Sequence, residues 1–537
     1  MNILGISCGH DANICIVRDG HILLHFEKER FTRRRHDSGP VDELIHTALE
    51  HLRWTIDDID LVASSVPVWE SHGRSGSILC GELYRSVFEH STHDIDLLGR
   101  RLPAVFVPHH VGHMAYSYYL SGFDDADIIA VDAYGNFTAT AIGVGEGRRV
   151  AAVRDLSPSN LGSLWCMVSR RLFGNMLDAG KTMGLAPYGE PRYLASLKAR
   201  YLEWDGDFPI INEPWRDNAR VPVLHELVDP IDPLRPEARD MAASVQELTN
   251  ETMLAYATGA KRSSGKPNLC LSGGVALNGI ANDLIVRAGL YEDVFIGPAP
   301  NDGGLSIGLA LYALHHVRGE PLLRHPDHVF LSRQYGAEDL AGTLSRYSDK
   351  VEARRVDAAR LVQEVAADLA AGRIVAWFSG RAESGPRALG HRSILCTPAV
   401  AEMKGVLNHR VKHREGFRPF APSILDVARR DYFDLEEASP YMLRVMSVHG
   451  AHRSAIPAVV HVDGSSRPQT VGGDPSLTTY QSLIEEFRSQ TGIPMLLNTS
   501  FNIRGEPIVE SPADAVRSFV TGDIDRLVLE DWIVSKV

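Results

Sequence analysis

Lys412 and Arg414 form a Lys-x-Arg element, and far downstream Ser500 and Asn502 form a Ser-x-Asn element with Gly505 just beyond. Arg387, Arg392, Arg418 and Arg504 stand in the same glycine- and proline-punctuated stretches. A guanidinium offers a planar, bidentate fork to phosphate oxygens, which a lysine ammonium cannot. A crowd of such groups on loops is what a site needs to hold small, multiply charged phosphates. The chemistry expected of this chain is therefore phosphate-linked.

A second set of candidates lies in the N-terminal half. Pro108-His109-His110-Val111-Gly112-His113 begins with a proline suited to a first helical turn, and His109 and His113 fall four apart on one helical face. That spacing lets two imidazoles share a metal ion, although a helical pair of histidines also occurs packed in a core or facing solvent. Asp132 closes an apolar run and Asp302 follows Gly-Pro-Ala-Pro-Asn. A two-His, two-Asp site with mixed nitrogen and oxygen ligands would suit iron(II), manganese or zinc; the plainer reading makes Asp302 a helix N-cap. Ser272-Gly273-Gly274, with Asn278 a turn later, follows an apolar run and opens a helical pattern, so its backbone N–H groups could cradle phosphates. Lys181, flanked by Gly180 and Gly184, fits a phosphate or leaving-group contact or a structural turn.

Strands and helices must carry these residues to one place. Residues 3–26 read as consecutive strands with a hairpin at Asp19-Gly20, and the same plan returns over 127–154, from Ile128-Ile129-Ala130-Val131 through a strand starting at Phe137 to a Gly145-Glu146-Gly147 turn. An internal duplication explains both. Each copy sets a polar group near the end of its first strand, His10-Asp11 in one and Asp132 in the other, where catalytic groups of α/β sheets commonly lie. A helix over 240–260 precedes a buried strand at Asn268–Leu271. Residues 203–237 form a long ordered excursion, either a surface insertion or a lid. The chain turns polar over 317–357, which places a domain boundary near 340, and a new α/β unit starts with a helix over 361–369 and a strand over 374–378.

A chain of 537 residues exceeds one ordinary core at about 100–200 residues per domain. It carries 44% hydrophobic and 23% charged residues, with no apolar run near the length of a membrane span. The formal net charge of −13 argues against a long nucleic-acid track. The N-terminus lacks a basic leader and runs straight into a strand pattern, so a cytoplasmic home is expected. Cys8, Cys15, Cys80, Cys166, Cys270 and Cys396 are scattered without a Cys-x-x-Cys pair and read as buried thiols in a reducing compartment.

Taken together, His10-Asp11-Ala12, Glu27 to Thr32, His109 to His113, Lys181 to Gly189, Ser272 to Asn278, Asn301 to Gly304, Glu383 to Gly390, Val411 to Pro422 and Leu497 to Asn502 resemble, in order and number, the O-carbamoyltransferases of antibiotic and nodulation-factor biosynthesis. The resemblance covers nearly the whole chain. It implies an α/β architecture: residues 1–340 as a duplicated actin-like ATPase (RNase H-like) domain that transfers carbamoyl, and residues 341–537 as a threonylcarbamoyl-AMP-synthase-like domain that forms carbamoyladenylate. It implies a metal, iron(II), on His109, His113, Asp132 and Asp302, with Mg(II) accompanying ATP. Arg387, Lys412 and Arg418 would hold carbamoyl phosphate. Ser272, Gly273, Gly274, Asn278, Lys412, Arg414, Ser500, Asn502 and Arg504 would bind ATP.

In the implied reaction carbamoyl phosphate and ATP give carbamoyladenylate, and the carbamoyl group passes to a hydroxyl of a small-molecule acceptor, with His10 as base and Lys181 as a second catalytic group. No nucleic acid or membrane enters, and a homodimer is left open. One departure stands out: some members carry an acidic residue shortly before the His-Asp pair, where this chain has Ser7-Cys8-Gly9, so the acceptor is not carried over. A sugar-kinase-like phosphotransferase would share the N-terminal fold without needing the C-terminal arginines. A threonylcarbamoyl-type tRNA enzyme would share both half-reactions but call for a basic RNA-facing patch.

Overall fold

The computed structural model describes residues 1–65, 88–133, 135, 138–157, 159–212, 232–325 and 328–537. Cys80, the strand start at Phe137 and residues 213–231 of the expected excursion lie outside the described residues. The chain divides into two compact units, Met1–Lys28 with His36–His328, and Glu29–Arg35 with Val329–Val537.

The first unit repeats one plan twice. β1 (Asn2–Ser7), β2 (Asn13–Arg18) and β3 (His21–Glu27) run antiparallel, β2 and β3 joined by the tight turn whose Asp19 and Gly20 both have positive φ. β4 (Leu61–Ser64) and β6 (Arg100–Phe106) continue the sheet in parallel beyond β1, and β5 (Ser91–Leu97) closes its edge. In the second copy β7 (Asp125–Val131), β8 (Thr140–Glu146) and β9 (Arg149–Asp155) are antiparallel, with β12 (Asn268–Ser272) and β13 (Asp293–Ile296) parallel beyond β7. The orders β3-β2-β1-β4-β6-β5 and β13-β12-β7-β8-β9 are the duplicated actin-like arrangement the sequence pointed to. β10 (Leu202–Asp205) and β11 (Phe208–Ile211) form a separate hairpin in the described part of the 203–237 excursion.

Each sheet carries a buried helix, His109–Ser121 against β7 and β12, and Leu305–Tyr312 against β1 and β2. Both helices are buried on nearly every side; Leu305–Tyr312 is apolar almost throughout, whereas His109–Ser121 buries three histidines with its apolar residues. They meet at a glycine contact: a Cβ on Gly308 would stand 2.1 Å from the Gly112 carbonyl oxygen. Close approach there lets the two sheets share one core and brings the N-terminal turns of both helices together.

The second unit is built on one mixed sheet in the order β14-β23-β22-β15-β16-β21-β17-β20. Its strands are β14 (Val351–Arg355), β15 (Val375–Phe378), β16 (Arg392–Cys396), β17 (Ala421–Leu425), β20 (Gln469–Val471), β21 (Met495–Ser500), β22 (Arg526–Leu529) and β23 (Trp532–Lys536); β18 (Met446–Ser447) and β19 (Ser465–Ser466) pair apart from it. One face packs on helices Ala358–Ala370 and Thr478–Thr491, the other on helix Pro512–Thr521. The segment 29–35 is anchored within this unit. Arg33 donates to the carbonyls of Ile508 (2.6 Å) and Pro507 (2.8 Å), and Arg30, 3% exposed, donates to that of Gly385 (2.6 Å).

Candidate functional site

In the first unit, helix His109–Ser121 starts after Pro108, and Gly122 in the left-handed region ends it. His109 and His113 share a face, and Asp302, at the turn before helix Leu305–Tyr312, reaches them across the glycine contact. His113 Nε2 lies 3.0 Å from His109 Nε2, 3.1 Å from Asp302 Oδ1 and 3.1 Å from Asp132 Oδ2. His109 Nε2 lies 3.3 Å from Asp302 Oδ1. All four side chains are buried, and their ligand atoms fall within 4.8 Å of one another. An imidazole nitrogen carries at most one hydrogen, so a proton on His113 Nε2 cannot serve three partners; a cation at the common point would. The donor set therefore fits a divalent metal with mixed nitrogen and oxygen ligands. Asp302 makes no side-chain cap to its helix, so the N-cap alternative does not describe it.

Burial opposes charge on each member, and the opposite partner outweighs it. Asp302 and Asp132 raise His109 to about 10 and also raise His113. The two histidines in turn hold Asp132 well below the usual carboxylate range. His110, next along the helix, is driven down to about 3 by burial and by His109 and His113, and its Nδ1 meets Thr138 Oγ1 at 2.7 Å.

His10 stands beside this cluster in the turn after β1, half-exposed, with Nε2 3.6 Å from Asp302 Oδ2 and Nδ1 3.1 Å from Asp11 Oδ2. Asp11 sits in the left-handed region (φ 57°) and its other oxygen meets His36 Nδ1 at 2.7 Å. A His36–Asp11–His10 chain thus orients the imidazole. The Asp302 carboxylate foremost, and the bond to Asp11, raise His10 to about 10. His36 escaped the sequence reading because nothing in its local spacing ties it to Asp11.

The Ser272-Gly273-Gly274 turn lies against Asp132: a Cβ on Gly274 would stand 3.0 Å from Asp132 Oδ1. Gly273 (φ 86°) gives its N–H to the Pro300 carbonyl, and Ser272 Oγ donates to the same oxygen. Asn278 caps the next helix at Ala281 N and exchanges two hydrogen bonds with Gln246. Lys181 pairs with Asp178 at 3.0 Å and lies over the Phe173 ring.

The second unit gathers the cations. Lys412, 6% exposed, donates to Asn502 Oδ1 (2.7 Å) and to the carbonyls of Asn502 (3.1 Å) and Ser500. The Lys-x-Arg and Ser-x-Asn elements are therefore one structure. Burial pulls the Lys412 ammonium well below the usual lysine range, and Arg414, Arg418 and Arg35 push it the same way. Burial, then Arg467 and Arg418, lower Arg387, whose Nε is buried without a hydrogen-bond partner. Arg467 is lowered to about 10 by burial, Arg414 and Arg418. Arg414 is held by Asn408 Oδ1 (2.7 Å) and stacks on Phe420; Arg418 lies 3.8 Å from Glu415. So much like charge gathered around buried groups calls for a polyanion. Arg467 and Arg35 were missed: Arg467 stands alone in a polar loop, and Arg35 ends a triple-arginine run whose role only the fold reveals.

One expectation changes. Arg392, first grouped with the phosphate-facing guanidiniums, is fully buried, donates to the carbonyls of Ser379 and Gly380 and lies 3.4 Å over Phe378, so it is structural. Arg504 is exposed on the loop after Asn502. The cysteines among the described residues are free, and burial pushes Cys8 up to about 12 and Cys166 to about 11. Among the described residues no helix is long and apolar enough to cross a membrane.

Comparison with known proteins adds sequence relationships. Residues 68–311 match the family model described as Carbamoyltransferase N-terminus, and residues 366–536 that described as Carbamoyltransferase C-terminus. The chain is 33% identical to an uncharacterized protein of Synechocystis, over 100% of this chain and 97% of that one. It is 32% identical to the nodulation protein NolNO of Sinorhizobium fredii, over 98% of this chain and 79% of that protein. It is 29% identical to the 3'-hydroxymethylcephem-O-carbamoyltransferase of Amycolatopsis lactamdurans, over 99% and 98%.

Proposed function

We propose that this chain, which belongs to the carbamoyltransferase family, activates carbamoyl phosphate with ATP in its second unit and transfers the carbamoyl group, in its first, to a hydroxyl of a small-molecule acceptor in the cytoplasm. The observation that carries the activating step is the gathering of Arg387, Lys412, Arg414 and Arg467 around Arg418: burial first, and the Arg418 charge with it, lowers the pKa of all four. Two phosphate-bearing reactants repel, and the cationic set offsets that repulsion while orienting them, a contribution of position and electrostatics. Arg387, Lys412 and Arg418 would take carbamoyl phosphate. Lys412, Arg414, Ser500 and Asn502 would take ATP. Water takes the phosphoryl group of carbamoyl phosphate as inorganic phosphate, an oxygen of the carbamate so released attacks the α-phosphorus of ATP, and pyrophosphate leaves to give carbamoyladenylate.

In the first unit the acceptor hydroxyl oxygen attacks the carbamoyl carbon, AMP leaves, and the hydroxyl proton goes to His10, oriented by Asp11. A metal on His109, His113, Asp132 and Asp302, iron(II) in this reading, would supply Lewis-acid anchoring of the adenylate phosphate. His10 reaches its base form once the carboxylate charge that holds its proton is compensated.

The test is pyrophosphate release from ATP with and without carbamoyl phosphate, in the absence of acceptor. Release that requires carbamoyl phosphate and vanishes in Arg418→Ala is expected. Turnover indifferent to carbamoyl phosphate, or yielding only ADP, would replace this reading by a phosphotransferase.

A further inference from the structure

Three buried polar side chains on neighbouring strands bond to one another across one sheet face of the second unit. Asn498 on β21, Ser423 on β17 and Gln469 on β20 lie on successive neighbouring strands, 2%, 0% and 1% exposed. Ser423 pairs in register with Gln469. By strand alternation they share their face with Leu496, Leu425 and Val471, which enter the core under helices Ala358–Ala370 and Thr478–Thr491. Buried amides and a hydroxyl in such a layer cost stability unless fully bonded.

Their bonds lead to one place. Ser423 Oγ donates to Gln469 Oε1 (2.6 Å) and accepts from Asn498 Nδ2 (3.0 Å), which also lies 3.3 Å from Gln469 Oε1. The two remaining donors leave the sheet: Asn498 Nδ2 binds the carbonyl of Ala388 (3.1 Å) and Gln469 Nε2 that of Leu389 (2.7 Å). Those are the two residues after Arg387. On the other side of the same peptides Glu383 Oε1 accepts the N–H of Leu389 (2.6 Å). Each of the two amides is also a sequence neighbour of a residue of the proposed site, since Asn498 precedes Ser500 by two and Gln469 follows Arg467 by two.

The geometry points to Asn498, Ser423 and Gln469 as positioning residues that hold the Arg387 loop in register with Arg467 and Ser500, so that the carbamoyl phosphate contacts form together. This rests on the proposed function. The hub itself touches no reactant; it acts through Arg387. Ser500, by contrast, is held independently by strand pairing to Ser393 and by Lys412, so losing the hub should leave ATP binding largely in place.

The experiment is carbamoyl phosphate-dependent pyrophosphate release by the full chain, with Gln469→Met, which keeps volume and deletes the side-chain hydrogen bonds to Ser423, Asn498 and Leu389, and Ser423→Ala as a milder second variant. Gln469→Met should raise KM for carbamoyl phosphate by about 10-fold or more, with KM for ATP within about 2-fold, and Ser423→Ala should move the same constant by less. A merely structural role would lower the melting temperature and the active fraction while leaving KM for carbamoyl phosphate alone. That result, or an equal rise in both KM values, overturns the inference. If the wild-type chain shows no carbamoyl phosphate-dependent release, the proposed function falls and this inference with it; wild-type release with an unmoved KM in both variants sinks the inference alone.

Discussion

At the scale of the residue, the second unit is governed by what a buried cation needs. Lys412 is held by neutral oxygens of Ser500 and Asn502, so its charge is solvated by the protein but not balanced by it. Replacing one member of such a set removes a preorganised contact to the reacting phosphates, at a cost of about 10²–10³ in rate. Arg467→Ala should accordingly lower carbamoyl phosphate-dependent pyrophosphate release by about that factor; a rate within about 3-fold of wild type would exclude Arg467 from the site. In the first unit the candidate metal cluster makes a different demand. His113→Asn and Asp302→Asn should each lose bound divalent metal, read as metal per protein by mass spectrometry, while the activating half-reaction persists. These members were legible from the sequence because the four-residue spacing of His109 and His113 and the punctuated loops around Lys412 and Ser500 are local. Arg467, Arg35 and His36 were not, because each acquires its partner from a segment far away in the chain.

At the scale of the element, two helices and two turns do the positioning. Gly308 sits where a Cβ would stand 2.1 Å from the Gly112 carbonyl oxygen, so Gly308→Ala should force the helices apart. Overpacking of this kind costs about 1–3 kcal/mol, and the expected readouts are a lower melting temperature and a loss of metal together. The end of the same helix carries another element-level property. Helix Leu305–Tyr312 runs into a π-helical turn, Ala313–Val317, where His316 stacks on Tyr312 and, farther along, His325 faces His315. Burial lowers His316 and His325 to about 4. Both groups are neutral in the fold and take a proton near pH 6.5 when unfolded, so the unfolded chain binds more protons between about pH 4 and pH 6.5. Stability should therefore fall as pH drops through that window, and His325→Gln should flatten the acid limb of a melting-temperature profile. The repeated strands of the first unit and the helices over 240–260 and 361–369 were legible from local pattern, their observed ends lying one to four residues farther out. The glycine contact was not, because a lone glycine in an apolar helix declares no partner.

At the scale of the whole molecule, two compact units with separate cores should not unfold as one two-state system. Calorimetry is expected to resolve transitions that respond to different ligands. At about 100 times its dissociation constant a ligand adds about 2.7 kcal/mol to the fold it binds, so carbamoyl phosphate should raise one transition and a divalent metal the other; a single transition raised equally by both would contradict this. The duplicated strand pattern, the histidine spacing and the clustering of arginines on loops are all properties of neighbours within a few positions, and the sequence by itself determined them. Which acid meets which histidine, that segment 29–35 belongs with the second unit, that Arg392 spends its charge on carbonyls, and that three polar side chains align beneath the Arg387 loop were decided only by tertiary structure. The physical reason is reach: period and turn chemistry act over a few residues, whereas a shared ion, a buried hydrogen-bond row and a glycine contact exist only once packing brings distant segments within a few ångströms.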